Sequence, residues 1–313
     1  MSIIDELFFS EERKELDSEL KKVIIYNTDS LDLRENILYH FGFDNNSKPT
    51  LEHSKRLRAY LCLKFSECQK IPFEKVLPLS VTIELFHNST LIVDDIQDND
   101  TIRCDKLALW KKTNISQAIN AAFFLSNLSQ AYFHLKRDEH KYHNYSFEYS
   151  KLINRIFCGQ QLDIDSSKNK TKSLKNYEDM VVGKTGELIS LSCKMGYMPF
   201  DFSEKGSKYI DIFARNFAIL YQIKDDIEDL NQFFNNTKSI DSSNIAYYLT
   251  KDSFDINSKN SKEVLFAILD ERIKKYEKEL NKSIDIMLDN NIISNEFARL
   301  LKTLSLIDLT NIK

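Results

Sequence analysis

Apolar residues recur at three- and four-residue intervals along nearly the whole chain, the repeat of a helix with one buried face. This periodicity predicts helices near 3–24, 30–42, 54–68, 73–98, 115–136, 144–166, 174–197, 203–232, 261–289 and 293–305. Strand-like alternation is scarce. The pattern is interrupted at Asn45-Asn46-Ser47-Lys48-Pro49, from Ser166 to Lys172, at Pro199, and in the polar stretch from Asn235 to Ser243. Apolar periodicity resumes on both sides of each break, so these read as loops inside one all-α domain covering residues 1–313. No repeat of fixed period is present.

Composition supports that architecture. The chain has 6 Gly and 4 Pro among 313 residues, too few for the tight turns of a sheet-rich fold, and its 42% hydrophobic content supplies a substantial core. A net charge of −4 argues against a nucleic-acid partner, whose binding would rest on a basic face. The five cysteines, Cys62, Cys68, Cys104, Cys158 and Cys193, are odd in number and lack CxxC spacing, as expected of reduced thiols in a cytoplasmic protein. The N-terminus is charged from Asp5 onward and does not read as a signal peptide. No uninterrupted apolar run approaches 18 residues, so no transmembrane segment is expected.

The chemistry concentrates in two acidic sequences, LIVDDIQDND with Asp94, Asp95 and Asp98, and YQIKDDIEDL with Asp225, Asp226 and Asp229. Each is a DDxxD motif preceded by an apolar turn, Leu91-Ile92-Val93 in one and Ile219-Leu220-Tyr221 in the other. One such motif alone is usually a solvated helix face; two of the same design point to function. Residues four apart share a helix face, so Asp94 with Asp98, and Asp225 with Asp229, would project as neighbouring carboxylates. Carboxylates that close remain ionised at neutral pH only beside cations, and a cluster of hard oxygen donors suits Mg²⁺. Two acidic faces directed at one cavity would hold several Mg²⁺ ions around a diphosphate.

Further residues in the same order extend this picture. Glu84-Leu85-Phe86-His87 through Asp98 and Arg103 resembles the first conserved region of the trans-isoprenyl diphosphate synthases, the polyprenyl synthetase family. Tyr221 to Asp229, with Gln222 three residues before the first Asp, resembles the second region. Gly159-Gln160-Gln161-Leu162-Asp163 and Gly183-Lys184-Thr185-Gly186 resemble two motifs between them. Upstream, Lys55-Arg56-Leu57-Arg58 is similar to the GGKRLRP element, with Ser54 and Ala59 in place of its second Gly and its Pro. The resemblance spans roughly residues 50 to 250 and implies a helical bundle around a deep central cavity, commonly a homodimer.

It also implies roles. Asp94, Asp95 and Asp98 would bind two Mg²⁺, and Asp225, with Asp226 and Asp229 around it, a third. Arg103 and Lys184 would contact the diphosphate of an allylic substrate, and Thr185 and Gln222 would face the allylic cation. Lys55, Arg58 and His87 match positions that bind isopentenyl diphosphate. Taken singly, His87 could be a core histidine, and Lys55 and Arg58 a solvated face. Ser89, five residues before Asp94, stands where short-chain members carry an aromatic floor. A small residue there implies a deeper pocket and products of C20 or longer, unless Ser89 simply bonds its own helix backbone.

Two departures leave the reaction open. The family's Arg-Arg-Gly after the first motif is here Arg103-Cys104-Asp105, which removes a cation from the isopentenyl diphosphate clamp. The Lys-rich loop after the second motif is reduced to Asn235–Ser243, with Lys238 its single Lys. The chain therefore reads either as a prenyltransferase joining an allylic diphosphate to isopentenyl diphosphate, or as a lyase ionising one C15–C20 prenyl diphosphate with no second substrate. A non-catalytic partner subunit is a third reading, set against the retention of both aspartate motifs.

Overall fold

The computed structural model describes residues 11–43, 56–140, 145–167, 172–197, 204–235, 237, 240–249 and 259–306. These are almost entirely helical, and they group into two compact units. The first comprises residues 1–145 and 192–202, the second 146–191 and 203–312.

In the first unit, α1 (Glu11–Asn27) buries Leu16, Leu20, Val23 and Ile24 along one stripe. The next helix, α2 (Leu31–Phe41), is bounded by signals legible in its sequence. Ser30 Oγ accepts from the Leu33 N–H at its start, and Gly42 (φ 77°) ends it, the N–H groups of Gly42 and Phe43 returning to Tyr39 and Leu38. After α3 (Leu57–Cys68) comes α4 (Phe73–Gln97), the spine of this unit. Its apolar residues lie on every side, which is the mark of a helix surrounded by others. By length and composition α4 could cross a membrane, yet 72% of its apolar window is buried inside the fold. The long α6 (Ile115–His140) lies against it and buries Ala118, Ala121, Ala122, Leu125 and Leu128 in the shared core, the three alanines permitting close approach. Ser129 Oγ crosses to the Thr82 carbonyl at 2.8 Å.

Between α4 and α6 the chain forms a feature that periodicity did not predict, a two-residue hairpin followed by the single turn α5 (Leu109–Lys112). Strands β1 (Ile102–Arg103) and β2 (Lys106–Leu107) pair antiparallel, Arg103 opposite Lys106. The linking residues Cys104 (φ 49°) and Asp105 (φ 59°) both lie in the left-handed region, as a type I′ turn demands. Asp tolerates this conformation better than most residues; Cys does not.

The second unit begins with α7 (Tyr145–Ile164). The periodic run predicted as one helix over 174–197 is divided into α8 (Leu174–Val181), a π-helical turn at Val182–Gly186, and α9 (Glu187–Tyr197), which passes into the first unit at Ser192. The long pair α10 (Glu204–Phe234) and α12 (Lys259–Asp289) supplies most of the core through Phe213, Phe217, Leu220 and Ile223 on one side and Leu269, Tyr276, Leu280 and Ile284 on the other. The single turn α11 (Ala246–Leu249) precedes α12, and α13 (Asn295–Leu306) follows it. Glu178 ties three helices together, accepting from Arg215 at 2.5 Å and from the Tyr276 hydroxyl.

Candidate active site

In the first unit a buried ionic node positions the basic residues. Arg56, 3% exposed and in a left-handed conformation (φ 46°), starts α3. Its guanidinium donates to Asp17 at 3.1 Å and to Glu84 at 3.4 Å, and lies over the rings of Phe41 and Phe43. The fully buried Glu84 also accepts from the Ala59 N–H and from Asn88. A buried carboxylate needs this many donors to offset its desolvation. With Arg56 committed, Arg58 is the residue of this element that reaches His87, Nη1 lying 2.8 Å from Nε2. Burial, then Arg58, holds the His87 imidazole well below its usual pKa, so it is neutral. Arg58 can only donate, so Nε2 accepts and Nδ1 carries the proton. Lys55 lies outside the described residues.

The first aspartate motif closes α4. Asp98 caps the helix through its N–H to the Asp94 carbonyl, and Asp94 and Asp98 lie one turn apart at its solvent-accessible end. Asp95 points elsewhere. It is 1% exposed, and both its oxygens accept from Arg103, at 2.7 and 2.9 Å from Nε and 2.5 Å from Nη2. Burial raises the Asp95 pKa, while Arg103 acts in the opposite sense. The hairpin thus serves to bring Arg103 back against the helix it has just left. Its other cation, Lys106, donates to the Tyr39 carbonyl and lies 4.4 Å from the centre of the Tyr39 ring. One helical turn before the motif, the buried Ser89 donates its hydroxyl to the Phe86 carbonyl at 2.6 Å, the bond to its own helix backbone that stands as the alternative to a pocket role.

In the second unit the π turn carries Lys184 and Thr185. A π turn adds a residue to the helical circuit and is common where side chains must be re-aimed. The turn packs on α7 through two glycines. A Cβ on Gly159 would lie 2.2 Å from the Gly183 carbonyl carbon, and one on Gly183 would lie 2.6 Å from the Gly159 Cα. One turn beyond Gly159, Asp163 accepts from Lys184 Nζ at 2.6 Å. On α10 the middle aspartate is again held. Asp226 accepts from the Tyr177 hydroxyl at 2.9 Å, from Gln222 at 3.1 Å and from the Ile245 N–H at 2.7 Å. Burial pushes its pKa up to about 7 despite these donors. Asp225 and Asp229 flank it, half-buried.

The two motifs therefore share one design. The second aspartate turns inward to a donor set, and the first and last, one turn apart, stay accessible. Among the described residues no group of three or more His, Cys, Asp or Glu side chains converges on a single point. The donors nevertheless fit Mg²⁺, which is usually bound by one or two carboxylates together with substrate phosphates and water. Asp94 with Asp98, and Asp225 with Asp229, are such pairs. Asp163, Tyr177 and Arg56 gained their tasks only in three dimensions. A weak sequence signal existed for Asp163, the last residue of its motif; none existed for Tyr177.

The family model described as polyprenyl synthetase matches residues 43–285. The short chain isoprenyl diphosphate synthase of Methanocaldococcus jannaschii is 33% identical over 177 residues, 56% of this chain and 54% of that protein. A geranylgeranyl pyrophosphate synthase of Penicillium canescens is 28% identical over 251 residues, 78% of this chain and 71% of that one. The chain thus spans about half the length of the first curated relative it matches. Among solved structures, the geranylgeranyl pyrophosphate synthetase of the archaeon Geoglobus acetivorans superposes with a TM-score of 0.75, covering 97% of each chain at 19% identity, a likeness of fold. With the family model running through both aspartate helices and every motif from residue 55 onward, the chain belongs to the polyprenyl synthetase family.

Proposed function

We propose that the chain is a trans-prenyltransferase that condenses an allylic prenyl diphosphate with isopentenyl diphosphate, giving a product of C20 or longer. The observation that carries this is the repeated design of the aspartate helices, each offering Mg²⁺ and a diphosphate one accessible carboxylate pair beside a carboxylate fixed by the fold. The family match across residues 43–285, through both units, supports one isoprenoid synthase-like domain.

Bound Mg²⁺ would neutralise the diphosphate and stabilise it as a leaving group. The chain's own residues do the rest. Arg103, with Asp95 engaging two of its nitrogens, is held rigid enough to give its remaining donors to the allylic diphosphate, and Lys184 is aimed by Asp163 for the same purpose. As the C–O bond breaks, its electron pair leaves with the diphosphate. Thr185 and Gln222 face the resulting cation, and apolar helix surfaces exclude water that would quench it. Lys55, Arg58 and the neutral His87 bind the diphosphate of isopentenyl diphosphate, whose double bond attacks the cation. A proton then passes to the released pyrophosphate.

Incubation with Mg²⁺ and C5–C20 allylic diphosphates should give longer diphosphates only when isopentenyl diphosphate is added. Hydrocarbon or alcohol products formed without it would establish the lyase reading instead. Products no longer than C15 would overturn the length proposed. Cys104→Arg should lower KM for isopentenyl diphosphate by roughly tenfold or more, because a charge-assisted contact of about 1.5–3 kcal/mol is restored, with little change for the allylic substrate. An equal change in both would place the clamp elsewhere.

The chain also fits a homodimer. On α6, Ile115, Ile119 and Phe123 are 49%, 39% and 73% exposed at four-residue spacing, an apolar stripe suited to a second copy. Phe123→Lys should convert a dimer to a monomer in light scattering; a monomeric wild type would remove the proposal. All five cysteines are free thiols, in keeping with a reducing, cytoplasmic setting that cell fractionation would check.

A further inference from the structure

Between Asn235 and Ser243, after the second aspartate motif, Lys238 is the single lysine, and it lies outside the described residues. A different lysine reaches this region. Lys172 precedes α8 by two residues in sequence, and its Nζ donates to the Ser242 carbonyl. The ammonium also lies 4.8 Å from the ring centre of Tyr247 and 5.0 Å from that of Tyr248. Ser166 bonds Ser242 at 3.0 Å, tying the two segments together beside it.

This position adjoins the second aspartate site. The Tyr248 ring lies 5.4 Å from that of Tyr177, whose hydroxyl donates to Asp226. Tyr248 also feels the charge of Asp163, the partner of Lys184. Lys172 itself is half-buried, and among the described residues its contacts are that carbonyl and those two rings, with no carboxylate paired to it. Burial lowers its pKa, so the fold holds a partly desolvated cation whose company is a carbonyl and two aromatic faces. Such a cation gains from an anion and gains little from its present neighbours alone. An ordinary surface lysine would extend into water instead.

We propose that Lys172 is a diphosphate-binding residue of the second aspartate site, supplying a cation from the connection ahead of α8. This rests on the reading of that site as a diphosphate site. The carbonyl of Ser242 engages one of the three ammonium donors, the rings of Tyr247 and Tyr248 fix the direction of the side chain, and the remaining donors go to phosphate oxygens.

Calorimetric titration with inorganic pyrophosphate in the presence of Mg²⁺ tests both layers. Wild type should bind, Lys172→Arg should bind within about threefold of it, and Lys172→Gln should bind about tenfold or more weakly, the expected loss of a charge-assisted contact. Gln still offers an N–H to Ser242, so equal melting temperatures of the variants and wild type separate ligand binding from loop support. Binding by Lys172→Gln within twofold of wild type overturns the role of Lys172 alone. Equal weakening in Gln and Arg variants, with a common loss of melting temperature, also overturns it in favour of a packing role. Failure of wild type to bind overturns the diphosphate reading beneath it.

Discussion

Asp225→Ala and Asp94→Ala should each reduce turnover of an allylic diphosphate by a factor on the order of 10² or more, because each removes an oxygen that holds Mg²⁺ where negative charge develops on the leaving group. Neither is expected to unfold the protein. Both residues are solvent-accessible and stand one turn from a second carboxylate, so removing a charge relieves repulsion. Asp226→Ala is the contrasting variant. It would leave Tyr177, Gln222 and the Ile245 N–H without their shared acceptor, and a buried donor left unsatisfied costs about 1–3 kcal/mol. Thermal unfolding should therefore separate the variants, with Asp226→Ala melting lower and Asp225→Ala near wild type. Near-normal turnover in Asp225→Ala or Asp94→Ala would sink the assignment of that motif to the metal.

Gly159→Ala is expected to give a large loss of stability from a single added methyl. Its Cβ would sit 2.2 Å from both the Gly183 carbonyl carbon and the Lys184 nitrogen, and backbone cannot rotate aside as a side chain can. Forcing α7 and the π turn apart should cost about 1–3 kcal/mol or more. Lys184 begins at that contact, so the shift carries into the site, and a misplacement of about 1 Å can lower turnover by roughly 10²-fold. Chemical denaturation should show an earlier midpoint with unchanged slope, and turnover should fall even where the variant remains folded. Wild-type midpoint and turnover together would mean that the two backbones do not touch in solution.

The helices themselves were legible because burial on one face writes a 3.6-residue period into the sequence. The bounds of α4 and α10 fall close to the apolar runs that predicted them. The type I′ hairpin at 102–107 was hidden, since Cys104-Asp105 carries none of the Asn-Gly signal that such turns usually show and its strands are two residues long. The π turn was hidden for a different reason. Val182 to Gly186 continues the periodicity of α8 and α9, and what sets it apart is a backbone bond of the folded chain, the Glu187 N–H reaching the Val182 carbonyl five residues back.

The sequence by itself determined the all-α class, the two aspartate faces and the hard-cation chemistry they imply, because residue type and helical spacing suffice for each. It could not rank the six aspartates. Asp94, Asp95 and Asp98 are chemically identical, and which of them turns inward depends on where the hairpin delivers Arg103, eight residues after Asp95. Likewise Asp226 is set apart by Tyr177, 49 residues away, and by the Ile245 N–H, 19 residues away. Burial and donor supply are properties of the packed chain, so tertiary structure decided which carboxylates stay accessible and which the fold retains.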